Sequence, residues 1–357
     1  MKRLKVVVLY GGRSVEREVS RVSARTIVGG LDRSRYEVVP LAVDPSGRFL
    51  SAADSSRMLA EGPVPDRFRR AEPAGGALVP LEISAGRADV VFPIIHGTSG
   101  EDGTLQGFLE FLGIPYVGAG VAGSAIGMDK AVFKALLRSA GIPTPRSVVV
   151  RSSDRGTRAR ELVAGLPLPL FTKPATGGSS VGVRKVKDLA QLDAAIEEAL
   201  RYDDRALVEE GIDARELECA VLGDEDPRAS VPGEVVPGHE FYDYDDKYRD
   251  DKSRLLIPAP VSEKVAAEVQ RLAVESFRLC GLSGMARVDF FLERGTDRVL
   301  VNEVNTLPGF TAISMYPKLW EASGVPLPAL LDELIRLAIA RKERRDRLSH
   351  EPPAELQ

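Results

Sequence analysis

Asp289, Glu303 and Asn305 are the residues whose types and spacing point most directly to chemistry. They lie in RVDFFLERGTDRVLVNEVNTLPGFTAIS (287–314). Val288, Phe290 and Leu292 alternate with Arg287, Asp289 and Phe291, mostly the period of two of a strand. ERGTDR supplies a turn, and Val299, Leu300 and Val301 start a second strand. A hairpin puts Arg287 and Asp289 on one face of the first strand, and Val301, Glu303 and Asn305 on one face of the second. The turn then gathers an all-oxygen set, hard in character, suited to Mg²⁺ or Mn²⁺ and not to zinc. Arg287, one strand step away, can hold an anionic substrate. The competing reading is a charged hairpin face in water. The following NTLPGF favours the site, because a Pro-Gly turn lets backbone N–H groups approach a ligand closely.

Other loops at strand ends could serve the same site. Leu4–Leu9 is a continuous apolar strand ending in Gly11-Gly12-Arg13-Ser14, and a helical segment runs from about Glu16 to Gly30. Open α/β sheets bind ligands at such strand ends. Tyr36–Val43 and Ala88–Ile94 read as further strands, and the second leads into His96 and HGTSGEDGTLQG. There Thr104 or Asp102 can cap a helix over Leu105–Leu112. His96 opens a polar loop, which suits a ligand-facing role more than a core one. Residues 51–80 read as an irregular excursion.

A helical segment from Asp129-Lys130 to Ala140 follows. A strand then ends in Thr172-Lys173-Pro174 and runs into ATGGSSVG (175–182). Three Gly and two Ser in eight residues can fold over phosphates with backbone and hydroxyl donors. The spacing is not that of a P-loop. Lys130 and Lys173, on different elements, can neutralise different parts of a polyphosphate. Asp188–Leu200 reads as an amphipathic helix with Leu189, Leu192, Ile196 and Leu200 on one stripe. Ala206–Glu210 is a short strand whose edge, flanked by Glu209 and Glu216, can read an adenine amino group and ribose hydroxyls. Residues 237–256 are crowded with Tyr, Asp and Lys, like a long loop over a site. Ser262–Leu279 is a helix with Val265, Val269, Leu272, Ala273 and Phe277 as its buried stripe. From Arg341 the tail is strongly charged and reads as frayed.

A chain of 357 residues suggests two or three domains of α/β character. Lys+Arg 48 against Asp+Glu 52 gives a formal −4, with no basic block to favour nucleic acid. Two cysteines, Cys219 and Cys280, rule out a disulfide framework and a multi-cysteine zinc site, and fit a reducing compartment. The N-terminal apolar run reads as a strand and not a signal peptide, and no run nears the roughly 18 apolar residues of a membrane span.

Taken together, HGTSGEDGTLQG (96–107), KPATGGSSVG (173–182), EFYDYDDKY (240–248), RVDFF (287–291) and NEVNTLPGFT (302–311) resemble the D-alanine–D-alanine ligases of the ATP-grasp superfamily. The match runs in the family's order from Val6 to about Leu337. It implies an α/β chain with an ATP-grasp fold: an N-terminal parallel-sheet domain (1–122), then central (123–212) and C-terminal (213–357) ATP-grasp domains with a lid at 237–256. It also implies ATP, two Mg²⁺ or Mn²⁺ ions, D-alanine as substrate, a cytoplasmic homodimer, and neither nucleic-acid nor membrane partners. By the same resemblance, Glu16 and Ser179 position the first D-alanine and the lid, and His96 lies near that substrate's carboxylate. Lys130, Lys173, Ser180 and Lys247 serve the phosphates, Glu209 the adenine strand and Glu216 the ribose. Tyr248 joins Glu16 and Ser179, and Arg287 lies over the transferring phosphoryl group. Asp289, Glu303 and Asn305 hold the metals, with Glu303 bridging, while Gly309 N–H faces an oxyanion and Ser314 the second D-alanine's carboxylate. Thr176-Gly177, Glu210 and Ala312 depart from the family's usual residues without removing a catalytic group.

The rivals are a ligase with D-lactate or D-serine as acceptor, another ATP-grasp carboxylate–amine ligase, and a non-enzymatic ATP-binding module. Tyr248 favours an amine acceptor, because the D-lactate-forming enzymes usually lack the lid tyrosine. The intact metal positions argue against the binding module.

Overall fold

In β1 (Leu4–Gly11) the last six residues are buried, as a strand covered on both faces requires. The computed structural model describes residues 2–61, 83, 86–236 and 254–349. β1 pairs in parallel with β2 (Tyr36–Val43) and β3 (Val90–Pro93), in the order β2-β1-β3. Helix α1 (Arg17–Gly30) packs on β1 through Ala24 and Ile27.

The excursion expected over 51–80 starts instead as a helix, α2 (Ala52–Glu61). Ser51 Oγ accepts from the N–H of Asp54 at 3.1 Å, and buried Met58 and Leu59 hold α2 to the core. Alanine and serine hide this helix from a periodicity reading. Residues 62–80 lie outside the described residues. Helix α3 spans Thr104–Phe111. Gly103 takes its cap position, and Asp102 Oδ1 accepts from the N–H of Thr104 at 3.0 Å.

Helices α4 (Val121–Met128) and α5 (Lys130–Ser139) lead to a four-stranded antiparallel sheet. Its strands β4 (Ser147–Arg151), β5 (Leu170–Pro174), β6 (Arg184–Val186) and β7 (Arg205–Glu210) take the order β4-β7-β5-β6. Helices α6 (Thr157–Val163) and α7 (Leu192–Ala199) cover it and share its core. Leu192 and Ile196 are buried as expected, but Leu189 is exposed. Leu189–Gln191 winds as a 3₁₀ turn, and the tighter winding carries Leu189 off the stripe.

The third sheet comprises β8 (Ala214–Gly223), β9 (Arg228–Ala229), β10 (Gly233–Val236), β11 (Arg254–Leu256), β12 (Gly284–Glu293) and β13 (Val299–Asn305). Its order is β11-β10-β8-β12-β13, with β9 on β8. Helix α8 (Glu263–Leu279) buries all five stripe residues expected of it, and Ser262 caps it by accepting from Val265 N–H at 3.3 Å. Residues 254–256 were expected in the loop over the site, yet they pair with β10 as a strand. Residues 237–253, with Lys247 and Tyr248, lie outside the described residues.

Helices α9 (Met315–Ala322) and α10 (Leu327–Asp346) complete the described chain. The tail from Arg341 does not fray there, because α10 continues to Asp346. Arg341 stacks 4.4 Å from the Tyr116 ring and donates to the Tyr116 carbonyl at 2.9 Å. One buried cluster joins Val6, Val8 and Tyr10 of β1 to Leu330 and Leu334 of α10 and to Ala220 and Met285 of the six-stranded sheet. The four-stranded sheet keeps a cluster of its own.

Candidate active site

Arg287, Asp289 and Glu303 come together as the hairpin reading requires. Across β12 and β13, Asp289 stands opposite Glu303 and Arg287 opposite Asn305. The register shifts between Asp289 and Phe290, which leaves Asn302 as the extra residue of a bulge. The bulge corrects one expectation. Val301 pairs with Phe290 and joins the core, so it does not share a face with Glu303 and Asn305.

Arg287 donates to Asp289 at 2.7 and 2.8 Å and pairs with Glu218 at 2.9 Å. Burial works against its charge, but Asp289 and Glu218, helped by Glu303, outweigh it and hold its pKa well above the ordinary value. Among the described residues no group of three or more His, Cys, Asp or Glu forms a metal cluster. The hairpin offers two carboxylates in register plus the Asn305 amide oxygen, which also accepts from Leu307 N–H at 3.1 Å. This all-oxygen donor set suits Mg²⁺ or Mn²⁺, and the pairing of Asp289 with a guanidinium shows that it already attracts positive charge.

Lys130 links this hairpin to the glycine–serine loop. Its Nζ lies 3.4 Å from Glu303 and donates to the Gly177 carbonyl at 2.7 Å. In that loop Ser179 and Ser180 both have positive φ, 51° and 58°. Side chains rarely adopt that conformation, and such strain gathers at functional sites. Ser179 Oγ donates to Glu16 Oε1 at 2.5 Å, tying the loop to the start of α1.

Lys173 and Glu209 pair at 2.5 Å on β5 and β7, and Lys134 of α5 reaches the same carboxylate at 3.1 Å. Burial pushes the Lys134 ammonium down to about 8, against the pull of Glu209. Burial alone would raise Glu209, yet Lys134 and Lys173 bring it below the ordinary carboxylate value. Glu216 sits on β8 opposite Phe291 and Val235, two residues from Glu218 on the same strand.

On the opposite wall, His96 is buried and hydrogen-bonds the backbone of Leu307, while its Nε2 has no hydrogen-bond partner. Burial lowers its pKa against the charge of Glu16. Glu101 Oε1 accepts from Gly97 N–H at 2.7 Å, and its Oε2 is buried without a partner. Burial, and then the negative charge of Glu16, push its carboxyl up to about 8. Gly100 must be glycine, because a Cβ there would sit 1.9 Å from the Ile95 carbonyl oxygen. A Cβ on Gly309 would lie 2.9 Å from Ser314 Oγ and 3.9 Å from His96 Nε2, so the backbone reaches the site where a side chain would not. Ser314 Oγ accepts from Thr311 N–H at 2.9 Å.

Sequence reasoning missed Lys134, Glu218, Glu101 and Ser23, whose Oγ accepts from Phe310 N–H at 3.0 Å. One signal was available: Lys134 sits between Ala131 and Leu137 on the buried stripe of α5, where a lysine needs a partner.

Known proteins resemble this chain along nearly its whole length. Residues 5–119 match the family model described as D-ala D-ala ligase N-terminus, and 136–336 match D-ala D-ala ligase C-terminus. A D-alanine–D-alanine ligase of Solibacter usitatus is 46% identical over 343 residues, 96% of this chain and 98% of the relative. A D-alanine–D-alanine ligase A of Bradyrhizobium diazoefficiens is 47% identical over 97% of this chain and 98% of its own length. The solved D-alanine-D-alanine ligase from Coxiella burnetii superposes with a TM-score of 0.84 at 41% identity, covering 97% of each chain. The VanG D-Ala:D-Ser ligase from Enterococcus faecalis superposes at 0.82 with 34% identity, over 94% of this chain and 100% of that one.

Proposed function

The chain belongs to the D-alanine–D-alanine ligase family, with its ATP-grasp fold, and from that premise we propose how its residues divide the work of joining two D-alanines with ATP. The observation that carries the reading is Lys130, which touches both the glycine–serine loop and Glu303. One space is thereby bounded by a phosphate-type loop, a cation and metal-type carboxylates.

A carboxylate is a poor acyl donor, so a carboxylate oxygen of the first D-alanine attacks the γ-phosphorus of ATP. The bond to ADP breaks and D-alanyl phosphate forms. Lys130, Lys173 and the N–H and hydroxyl donors of 175–182 offset the phosphate charge and align the attack. Two Mg²⁺ or Mn²⁺ ions, held by Asp289, Glu303 and Asn305 with Glu303 shared, would neutralise charge on the transferring group. Glu16, oriented by Ser179, faces the ammonium of the first D-alanine, and His96 lies on its carboxylate side. The free amine of the second D-alanine then attacks the acyl carbon, and inorganic phosphate leaves. Arg287 and Gly309 N–H face the oxyanion as it develops. Ser314 takes the second carboxylate, Glu209 and Glu216 the adenine and ribose, and Ser180 and Lys247 the phosphates. Tyr248, which lies outside the described residues, takes the role of shielding an intermediate that water would destroy.

We place the unit boundaries near residues 122 and 212 and propose a cytoplasmic homodimer. No helix among the described residues is long and apolar enough to cross a membrane.

Phosphate release from ATP, with D-alanine, L-alanine, D-serine and D-lactate offered singly and in pairs, tests the reading. D-alanyl-D-alanine should dominate, and a larger yield with D-serine or D-lactate as acceptor would overturn the acceptor assignment. Glu303→Gln should leave less than about a tenth of the wild-type rate with the fold intact, because each ion contributes several kcal/mol to the transition state. A higher residual rate would remove Glu303 from the metal site.

A further inference from the structure

Lys134, Glu209 and Lys173 form a buried group that phosphate binding by Lys173 does not by itself explain. The Lys134 side chain is 0% exposed, Glu209 6% and Lys173 10%. Two ammonium groups share one carboxylate, at 3.1 Å from Lys134 and 2.5 Å from Lys173. Lys134 also donates to Thr144 Oγ1 at 3.3 Å, and Glu303 is the next anionic group acting on it. This buried group therefore carries one excess positive charge.

The two lysines are not equivalent. Lys173 lies next to the end of β5, directly before the glycine–serine loop, and keeps some access to solvent. Lys134 sits inside α5, on the stripe with Ala131 and Leu137, and has no route outward.

We propose that Lys134 is a positioning residue for nucleotide binding: it keeps Glu209 neutralised and fixed, so that Lys173 can exchange Glu209 for the nucleotide's phosphates. The proposal deepens the reading above and rests on Lys173 being a phosphate ligand. If Lys173 left a carboxylate that had no second cation, it would strand a buried charge, which is strongly unfavourable. With Lys134 in place Glu209 keeps a partner, and the excess positive charge is met by the incoming phosphate.

Lys134→Met should therefore hold Lys173 on Glu209. The expected result is a rise of about tenfold in the ATP KM and in the ADP Kd measured by calorimetry, the scale of one lost charge-assisted contact. kcat at saturating ATP should stay within about threefold, and the KM for D-alanine should not move. A merely structural lysine would shift both substrates. In a Glu209→Gln background the effect should vanish, so that Glu209→Gln and Lys134→Met/Glu209→Gln bind ADP equally.

Wild-type ADP affinity in Lys134→Met would overturn the proposal, as would an equal loss with and without Glu209→Gln. If Lys134→Met does not fold, the two Glu209→Gln chains decide: equal affinity supports the exchange and a further loss overturns it. Lys173→Met separates this from the underlying reading. Wild-type ADP affinity in that variant removes Lys173 from the phosphates and takes the proposal with it. Weakened binding in Lys173→Met beside unchanged binding in Lys134→Met overturns the Lys134 proposal alone.

Discussion

A carboxyl group buried beside another carboxylate keeps its proton to higher pH, and Glu101 stands in that position near Glu16. Its pKa of about 8 lies above the ordinary 4.5, so between those values the folded chain binds the extra proton. The stability this contributes is fully present below the unfolded pKa and is lost as pH rises through the folded one. Glu101→Gln keeps the shape and removes the titration. Its stability relative to wild type should therefore climb between about pH 5 and pH 9, by a few kcal/mol at most. Urea unfolding across that range measures it, and a difference independent of pH would show that Glu101 does not titrate there. Single residues differ in how well the sequence reveals them. Asp289, Glu303 and Arg287 were legible because strand alternation puts them on the open face of their hairpin. Glu101 and Glu218 were not, since each depends on contacts from distant segments: the charge of Glu16 on one and Arg287 across the β8–β12 pairing on the other. Lys134 was half legible, because its helix position demanded a partner without naming Glu209.

Elements were most legible where a local period and a cap agree, as in α8, whose stripe and Ser262 cap both match the structure. They were least legible where packing supplies what composition lacks, and the end of α10 illustrates this. Charge density suggested fraying from Arg341, yet Arg341 donates to the Gly118 carbonyl at 2.5 Å and to Ser283 Oγ. The neighbouring Arg345 pairs with Glu110, which accepts from the Tyr116 hydroxyl at 2.7 Å. A charge run read as frayed is thus the seam between the segment after β3 and the start of β12. Arg341→Met keeps most of the apolar stem while leaving the Tyr116 and Gly118 carbonyls without their donor. A loss of about 2–4 kcal/mol is expected, since hydrogen bonds from a charged donor contribute roughly 1.5–3 kcal/mol each and do not add fully. Equilibrium urea unfolding reads it directly. A loss below about 0.5 kcal/mol, the range of ordinary surface changes, would show that the seam holds without this arginine.

At the scale of the whole molecule, the distribution of apolar cores separates what is fixed from what can move. The three-stranded and six-stranded sheets share one buried cluster through α10, whereas the four-stranded sheet has its own. Among the described residues its apolar link to the rest is a small cluster on α5, whose Phe133 and Leu137 pack against the six-stranded sheet. Polar contacts help to join the four-stranded unit to the rest at the site: Lys130 with Glu303, and Ser179 with Glu16. Such contacts can be remade when ligands enter, while a shared apolar core resists sliding. If Glu16 serves the D-alanine side and Ser179 the phosphate side, as proposed above, their hydrogen bond couples the two ligands. Occupation of either side should then order the Ser179 loop for the other, and by linkage the effect would be equal in both directions. Ser179→Ala removes the hydroxyl and keeps the backbone donors of the loop. D-alanine should then tighten binding of a non-hydrolysed ATP analogue by a factor several-fold smaller than in wild type, within the roughly 5–150-fold range of such couplings. The same reduction should appear when the analogue is bound first and D-alanine is titrated. Calorimetry in both orders measures the coupling separately from any direct loss of nucleotide affinity, because that loss cancels in the ratio. If the ratio is the same in Ser179→Ala and wild type, the Glu16–Ser179 contact does not transmit between the two sides, and coupling must pass through Lys130 and Glu303.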